Sequence, residues 1–440
     1  MVEPAVSRTM RHKGVHERVH NGVLLSAILG ALLLGVLASG AHAEPVTATG
    51  SLSSRHTDNV GKTNVKESGT ESTARIGIRH VSDPGQCQSD LTASLGYTYW
   101  LNDFYDPESS AESGFDGNCE IRPGLNWRLR NNLSQVLASS RQNDTPENRS
   151  RRNIFSTGPM LTVPVTSVDQ ISASVNFENT EYEDPQVRDS DRYTGSLGWN
   201  HLFDATLSGG VSASVSQQEL DNGAETDSNS VNINLNKTWA ATQLNASVGF
   251  TRRKNQFGSA EQTSDGFVGS LSLTREINPS SSFFLSASRQ ITDQASDFTL
   301  QFGDVNFDFT EEAGVEVTAL ELGLQKSFSD GTALDVRSYA NQSDYLETDE
   351  RENTVGLRLG LNRPIRPQLS FQSSVSYEYL RFESNLRDDQ RALASVGLSY
   401  SLTSDLDCSA SIGHSMRKSD LRSSEFDENW AQISLSYRFL

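Results

Sequence analysis

After residue 43, apolar and polar residues alternate in runs of about ten, the length of a membrane-crossing strand. Leu91, Ala93, Leu95, Tyr97, Tyr99 and Leu101 alternate with polar or small neighbours. Val231, Ile233 and Leu235 alternate with Asn232, Asn234 and Asn236, and the terminal run carries Ile433, Leu435, Tyr437 and Phe439. A period of two sets one side of a strand in an apolar medium and the other in a polar one. Strands are expected at 46–57, 70–82, 90–103, 117–130, 133–142, 152–163, 169–182, 191–202, 205–217 and 228–239. The pattern continues at 242–253, 264–277, 281–292, 314–328, 332–343, 353–363, 368–381, 391–402, 405–416 and 427–439.

The connections alternate in length. Short ones carry turn residues: Asn131-Asn132, Phe203-Asp204, Ala240-Ala241, Asn278-Pro279-Ser280, Ser329-Asp330-Gly331, Pro364 to Pro367, and Ser404-Asp405. Long ones, at 143–151, 183–190, 218–227, 254–263, 293–313, 344–352, 382–390 and 417–426, are acidic and rich in Ser, Asn and Gln. Short turns on one rim and long loops on the other describe an all-β, antiparallel, up-and-down transmembrane barrel of 16 to 20 strands spanning 44–440. An even strand count sets both ends of the barrel chain on the periplasmic side. A soluble β-solenoid or tandem sandwich is the competing all-β fold. The scattered glycines disfavour the first, and the loop alternation has no cause in the second.

The N-terminus changes the compartment. Arg8, Arg11, Lys13 and Arg18 precede an apolar run from Val23 to Leu37, and Ala41-His42-Ala43 is a small-x-small cleavage site. Residues 1–43 therefore read as a signal peptide rather than a signal anchor. The net charge of −19 argues against nucleic-acid partners and for a hydrated surface. Hydrophobic residues make up only 35% of the chain, meagre for a soluble core but sufficient where every second strand residue faces lipid. Cys87, Cys119 and Cys408 read as incidental: Cys87 falls in a turn and Cys119 at the far end of its expected strand. Their number and spacing carry no metal motif.

Trp100, Trp127, Trp199, Trp239 and Trp430 all fall near expected strand ends, as the aromatic girdles of a barrel require. The chain ends Ser436-Tyr437-Arg438-Phe439-Leu440, an alternating terminal strand with a penultimate aromatic. The element Thr57-Asp58-Asn59-Val60 after the first strand, Gly158-Pro159 near the sixth, and the all-strand body resemble the outer-membrane proteins associated with PEP-CTERM and exopolysaccharide systems. That resemblance implies an outer-membrane barrel of a Gram-negative bacterium, set in lipid and lipopolysaccharide. It also implies exopolysaccharide and its periplasmic export machinery as partners. It brings no catalytic residues.

No HExxH, nucleophile elbow or phosphate-binding loop occurs, and neither a catalytic residue, a cofactor nor a metal site is assigned. His414 shares parity with Leu406 and Ile412 and is expected outside, with Ser411 and Ser415 on the other face. Polar residues face the expected lumen: Ser370, Gln372, Ser374 and Ser376; Asn232, Asn234 and Asn236; Ser270, Ser272 and Thr274; Ser395 and Ser399. Such groups hold water or sugar hydroxyls. Glu321, Asp335, Arg337, Arg358 and Glu378 also point inward from neighbouring strands. They form either a charge-selecting constriction or a ladder of cross-strand ion pairs. The acids Asp304, Asp308, Glu311, Glu312, Glu347, Asp349, Glu350 and Glu352 are solvated loop charges or ligands for Ca²⁺. The 293–313 loop, with Phe298, Leu300, Phe302, Phe307 and Phe309 in alternation, is the candidate plug. The expected function is a passive conduit for polysaccharide or small solutes. The alternative is a structural or docking barrel with a closed lumen.

Overall fold

The computed structural model describes residues 46–439, apart from 140, 185–186, 293–299, 303–304, 308–313, 347–349 and 384–386. The export segment read at 1–43 lies outside them. The first strands are β1 (Thr47–Thr57), β2 (Gly69–Val81), β3 (Cys87–Trp100), β4 (Glu108–Arg122), β5 (Leu125–Leu137), β6 (Arg149–Pro164), β7 (Asp169–Tyr182) and β8 (Ser190–Asp204). Next come β9 (Leu207–Leu220), β10 (Ala224–Trp239), β11 (Thr242–Phe257), β12 (Ala260–Asn278) and β13 (Ser281–Thr292). A small hairpin, β14 (Leu300–Phe302) with β15 (Val305–Phe307), stands apart in the loop expected to be a plug. The last are β16 (Val315–Ser327), β17 (Ala333–Tyr345), β18 (Arg351–Arg366), β19 (Leu369–Phe382), β20 (Arg387–Ser401), β21 (Leu406–Ser419) and β22 (Phe426–Arg438). All but the hairpin form one 20-stranded sheet, and β1 pairs with both β2 and β22, so the antiparallel sheet closes.

Three expectations are corrected. The turn after β4 lies at Pro123-Gly124, not Asn131-Asn132. Gly124 takes φ +82, open to glycine at little cost, while Asn131 sits within β5 and donates to Asn153 Oδ1 at 2.9 Å. That shift moves Cys119 to the short-turn rim, directly opposite Cys87. The two form a disulfide with Cα atoms 4.0 Å apart, and only Cys408 is free. The stretches 218–227 and 254–263 are mostly strand, with turns at 221–223 and 258–259. There both faces meet water, so the ladder continues after the alternation that marks it has ended.

Closure is reinforced by the Thr57-Asp58-Asn59 element. Asn59 is fully buried; its amide donates to Thr63 O at 2.7 Å and Asp427 O at 3.0 Å, and its oxygen accepts from Thr63 N at 3.2 Å. Asp58 Oδ1 accepts from the Asn429 backbone at 2.7 Å and Oδ2 from the Asn429 amide at 2.8 Å. Thr57 Oγ1 donates to Glu428 Oε1 at 2.7 Å, which also holds Arg55 at 2.9 Å. The first strand is thus tied to the last by side chains as well as by its ladder. The Gly158-Pro159 pair interrupts the β6–β7 ladder between Thr157↔Phe177 and Met160↔Ser174. Proline there has no N–H to give.

Replacing Asn59 with Ala leaves buried carbonyls unpaired, and about 2 kcal/mol of stability should be lost, read as a lower urea midpoint in detergent. Burial pushes the Asp58 carboxyl up, but hydrogen bonds from Asn429 and the Lys66 ammonium outweigh it and hold it at about 2. A depressed pKa contributes stability above the unfolded value of 3.8 that is lost as pH falls towards 2. The urea midpoint of the wild type should therefore fall more steeply than that of Asp58→Asn between pH 4 and pH 2; parallel curves would remove Asp58 from the lock.

Candidate functional site

The pleat sorts the strand residues by parity. Ile76, Leu95, Val175, Leu197, Val215, Ile233, Phe267 and Ile433 are exposed on the outer face. Their neighbours face the lumen, where hydroxyls pair across strands. The pairs are Thr73 with Thr98 at 2.9 Å, Ser174 with Ser196 at 2.6 Å, and Ser214 with Ser230 and Ser247 with Ser270 at 2.7 Å. Ser374 with Ser395 at 2.7 Å and Ser409 with Ser434 at 2.6 Å continue the series. Asn234 joins it by donating to Ser212 Oγ at 3.1 Å.

Of the five expected lumenal charges, three come together. Arg337 Nε lies 2.8 Å from Asp335 Oδ1, and its Nη1 lies 3.9 Å from Glu321 Oε1. Glu378 goes elsewhere, accepting a short hydrogen bond from the Tyr339 hydroxyl. Arg358 stands opposite Arg337 in the β17–β18 register. The opposite side of the ring carries a further set of inward charges, outside the five expected. Arg75 pairs with Glu112 at 3.0 Å, Arg79 with Asp90 at 3.1 Å, and Arg130 with Asp116 at 2.8 Å. Each of these charges has inward parity, as in Ala74-Arg75-Ile76, the same signal that marked Arg337.

The tryptophans divide. Trp127, Trp199 and Trp239 lie exposed on the outer face near the short-turn rim, as a girdle does. Trp100 and Trp430 have the other parity and face inward, so proximity to a strand end was the wrong test for them. His414 faces out; its Nδ1 lies 2.9 Å from Asn429 Oδ1, while Ser415 on the other face donates to Glu428 at 2.8 Å.

The long-loop mouth is spanned by the connection 138–148 between β5 and β6. Asn148 fastens its base, donating to Ser139 O at 2.8 Å and accepting from Ser139 N at 2.9 Å. Its tip reaches residues half the circumference away. Arg141 donates to Glu352 at 2.7 Å and Glu350 at 2.7 Å, between the rings of Tyr345 and Phe382, each 5.7 Å away. Asn143 donates to Lys62 O at 2.8 Å and accepts from Arg417 at 2.9 Å, while Arg417 also donates to Arg141 O at 2.8 Å. Burial disfavours the Arg141 charge, but Glu352 and Glu350 outweigh it and raise its pKa. This loop is thus a strap across the mouth; of the candidate plug at 293–313, β14 and β15 form their hairpin and the other residues, Phe298 and Phe309 among them, lie outside the described residues. Of the loop acids offered for Ca²⁺, Glu350 and Glu352 hold Arg141; Asp304, Asp308, Glu311, Glu312, Glu347 and Asp349 lie outside the described residues.

Residues 279–439 match the family model of the outer membrane protein beta-barrel domain. No curated protein matches the chain. Among solved structures, a mutant ferric enterobactin receptor of Pseudomonas aeruginosa is 11% identical with a TM-score of 0.48, covering 91% of this chain and 81% of the receptor. The siderophore receptor PiuA of Acinetobacter baumannii is 10% identical with a TM-score of 0.47, covering 91% of this chain and 82% of PiuA. The closed ring, its unequal rims and the matched domain define an outer-membrane β-barrel, resident in the outer membrane of a Gram-negative bacterium.

Replacing Arg337 and Arg358 with Gln removes two lumenal cations and should shift the reversal potential in a salt gradient towards cation selectivity. Unchanged potentials would assign both to a stiffening ladder and eliminate the constriction.

Proposed function

We propose that this barrel is a passive conduit for exopolysaccharide, delivered by periplasmic export machinery and released outside, after export of the chain by a signal at 1–43. One observation carries the reading: the lumen is lined by paired hydroxyls and amides, with charges paired to partners of opposite sign on both sides of the ring. Such a wall offers hydrogen bonds to a hydroxyl-rich polymer without gripping it through net charge. The conduit needs no catalysis, cofactor or energy source of its own. The 138–148 strap serves as its outer gate. The same strap favours the second reading, a docking barrel whose lumen stays shut.

Conductance separates the two. Arg141→Gln together with Asn143→Ala removes the latch at the strap's tip while leaving Asn148 to hold its base. Single barrels of this variant in planar bilayers should conduct several-fold more than wild type, since the bonds of Arg141 to Glu350 and Glu352 and of Asn143 to Lys62 and Arg417 no longer hold the strap shut. Conductance that stays at the wild-type level in a correctly folded variant, with no opening on polymer addition, would sink the conduit and leave the docking barrel.

A further inference from the structure

The lumenal wall between β16 and β22 is not evenly filled. It holds a cavity of about 640 Å³ whose polar lining includes Gln325, Asp335, Asn362, Gln372 and Ser395, with Trp430 also on its wall. The ladder aligns these residues in two adjacent rows across the wall. In one row Gln325 stands opposite Asp335, Asp335 opposite Gly360, Gly360 opposite Ser374 and Ser374 opposite Ser395; in the row beside it Asn362 stands opposite Gln372 and Gln372 opposite Gly397. Gly360 in the first row and Gly397 in the second belong to the lining and present no side chain, so the paired rows form a depression. At about 4.8 Å per strand, the first row, from β16 to β20, runs about 19 Å, a trough rather than a pit.

Trp430 is seated by its neighbours. A Cβ on Gly413 would stand 2.3 Å from the Trp430 ring, so only glycine lets the indole lie against β21. The Arg55 guanidinium sits 4.9 Å from the ring centroid. Asp335 is neutralised by Arg337 at 2.8 Å. Among the described residues, the amides of Gln325, Asn362 and Gln372 are not taken up by hydrogen bonds within the wall. Planar amides that both donate and accept, hydroxyls and an indole together suit an uncharged chain of vicinal hydroxyls with apolar C–H faces.

We infer that this trough binds an extended, uncharged saccharide segment. The inference rests on the conduit reading and names the chemistry of what that conduit holds.

The test uses the whole purified barrel in detergent with two probes, maltohexaose and cellohexaose. Calorimetric titration should give saturable binding of at least one. Tryptophan fluorescence should change with the same midpoint, and Trp430→Phe should abolish that change, whereas Trp199→Phe on the lipid face should retain it. Asn362→Ala with Gln372→Ala should weaken the calorimetric affinity about tenfold, the scale of one or two lost hydrogen bonds. Heat-modifiable mobility on gels confirms that each variant is folded; should the double variant not fold, Gln372→Ala alone should weaken binding in the same direction. Absence of saturable binding by either glucan, or binding unaltered in the amide variant and in Trp430→Phe, overturns the site. These measurements need no current. A barrel that binds glucan but never conducts therefore defeats the conduit while keeping the trough, and one that conducts without binding does the reverse.

Discussion

A strand in hydrocarbon has no water to satisfy its N–H and C=O groups, so every edge must be paired. In this chain that requirement falls on one seam, where β1 meets β22. The residues joined there, such as Arg55 and Glu428, are 373 apart in sequence. Bringing them together costs loop-closure entropy that no other strand pair meets to the same degree. The side chains at the outer end of the seam answer that cost. Asn59 sends its amide across to the Asp427 carbonyl, Asp58 receives both donors of Asn429, and Thr57 and Arg55 share one oxygen of Glu428. A motif that reads as a family signature in sequence is, physically, the clasp of the ring.

Closure dictates the interior. Once the ring is shut, the pleat sends every second residue into a wet but confined space, where an unmatched charge loses much of its hydration. The chain meets this by pairing: Arg75 with Glu112, Arg130 with Asp116, Arg337 with Asp335. Half-exposed pairs of this kind are worth about 0.2–1 kcal/mol each, so they set the lumen's charge pattern more than its stability. Between them the serine pairs present small polar groups that keep the wall wet and leave room.

The strand count, the closed antiparallel order and the two rims were legible because lipid on one side and water on the other write a period of two into every strand. What was misread lies where that contrast fails. Above the lipid, at 218–227 and 254–263, both faces are polar and strand looks like loop. At Asn131-Asn132 turn-favouring residues occur inside β5, and the true turn is set by the proline and the positive φ of Gly124. That single displacement also hid the Cys87–Cys119 bridge, by placing the two cysteines at opposite ends of a strand pair. Parity alone places Trp100 and Trp430 inside, but nearness to strand ends suggested the girdle. For the five lumenal charges the inward direction was readable. The partners were not, because which charge meets which depends on register across several strands: Glu378 found Tyr339 rather than an arginine.

The strap could not be foreseen at all, since 138–148 touches residues that are neighbours only after closure. Its anchors are nonetheless informative. Arg141 and Asn143 reach Glu350, Glu352 and Arg417, on β21 and the β17–β18 end of the ring, the same wall that carries the trough lower down. A plug built on apolar packing would be hard to displace by a hydrated polymer, because its burial free energy has no counterpart in sugar hydroxyls. A latch made of hydrogen bonds and ion pairs can be exchanged group for group with such a polymer at little net cost. In the proposed conduit, a chain advancing from the trough towards the outer rim passes Arg337 and Arg358 and then reaches the strap held by Arg141 and Arg417. The chemistry that holds the strap down is then the chemistry that the polymer can replace.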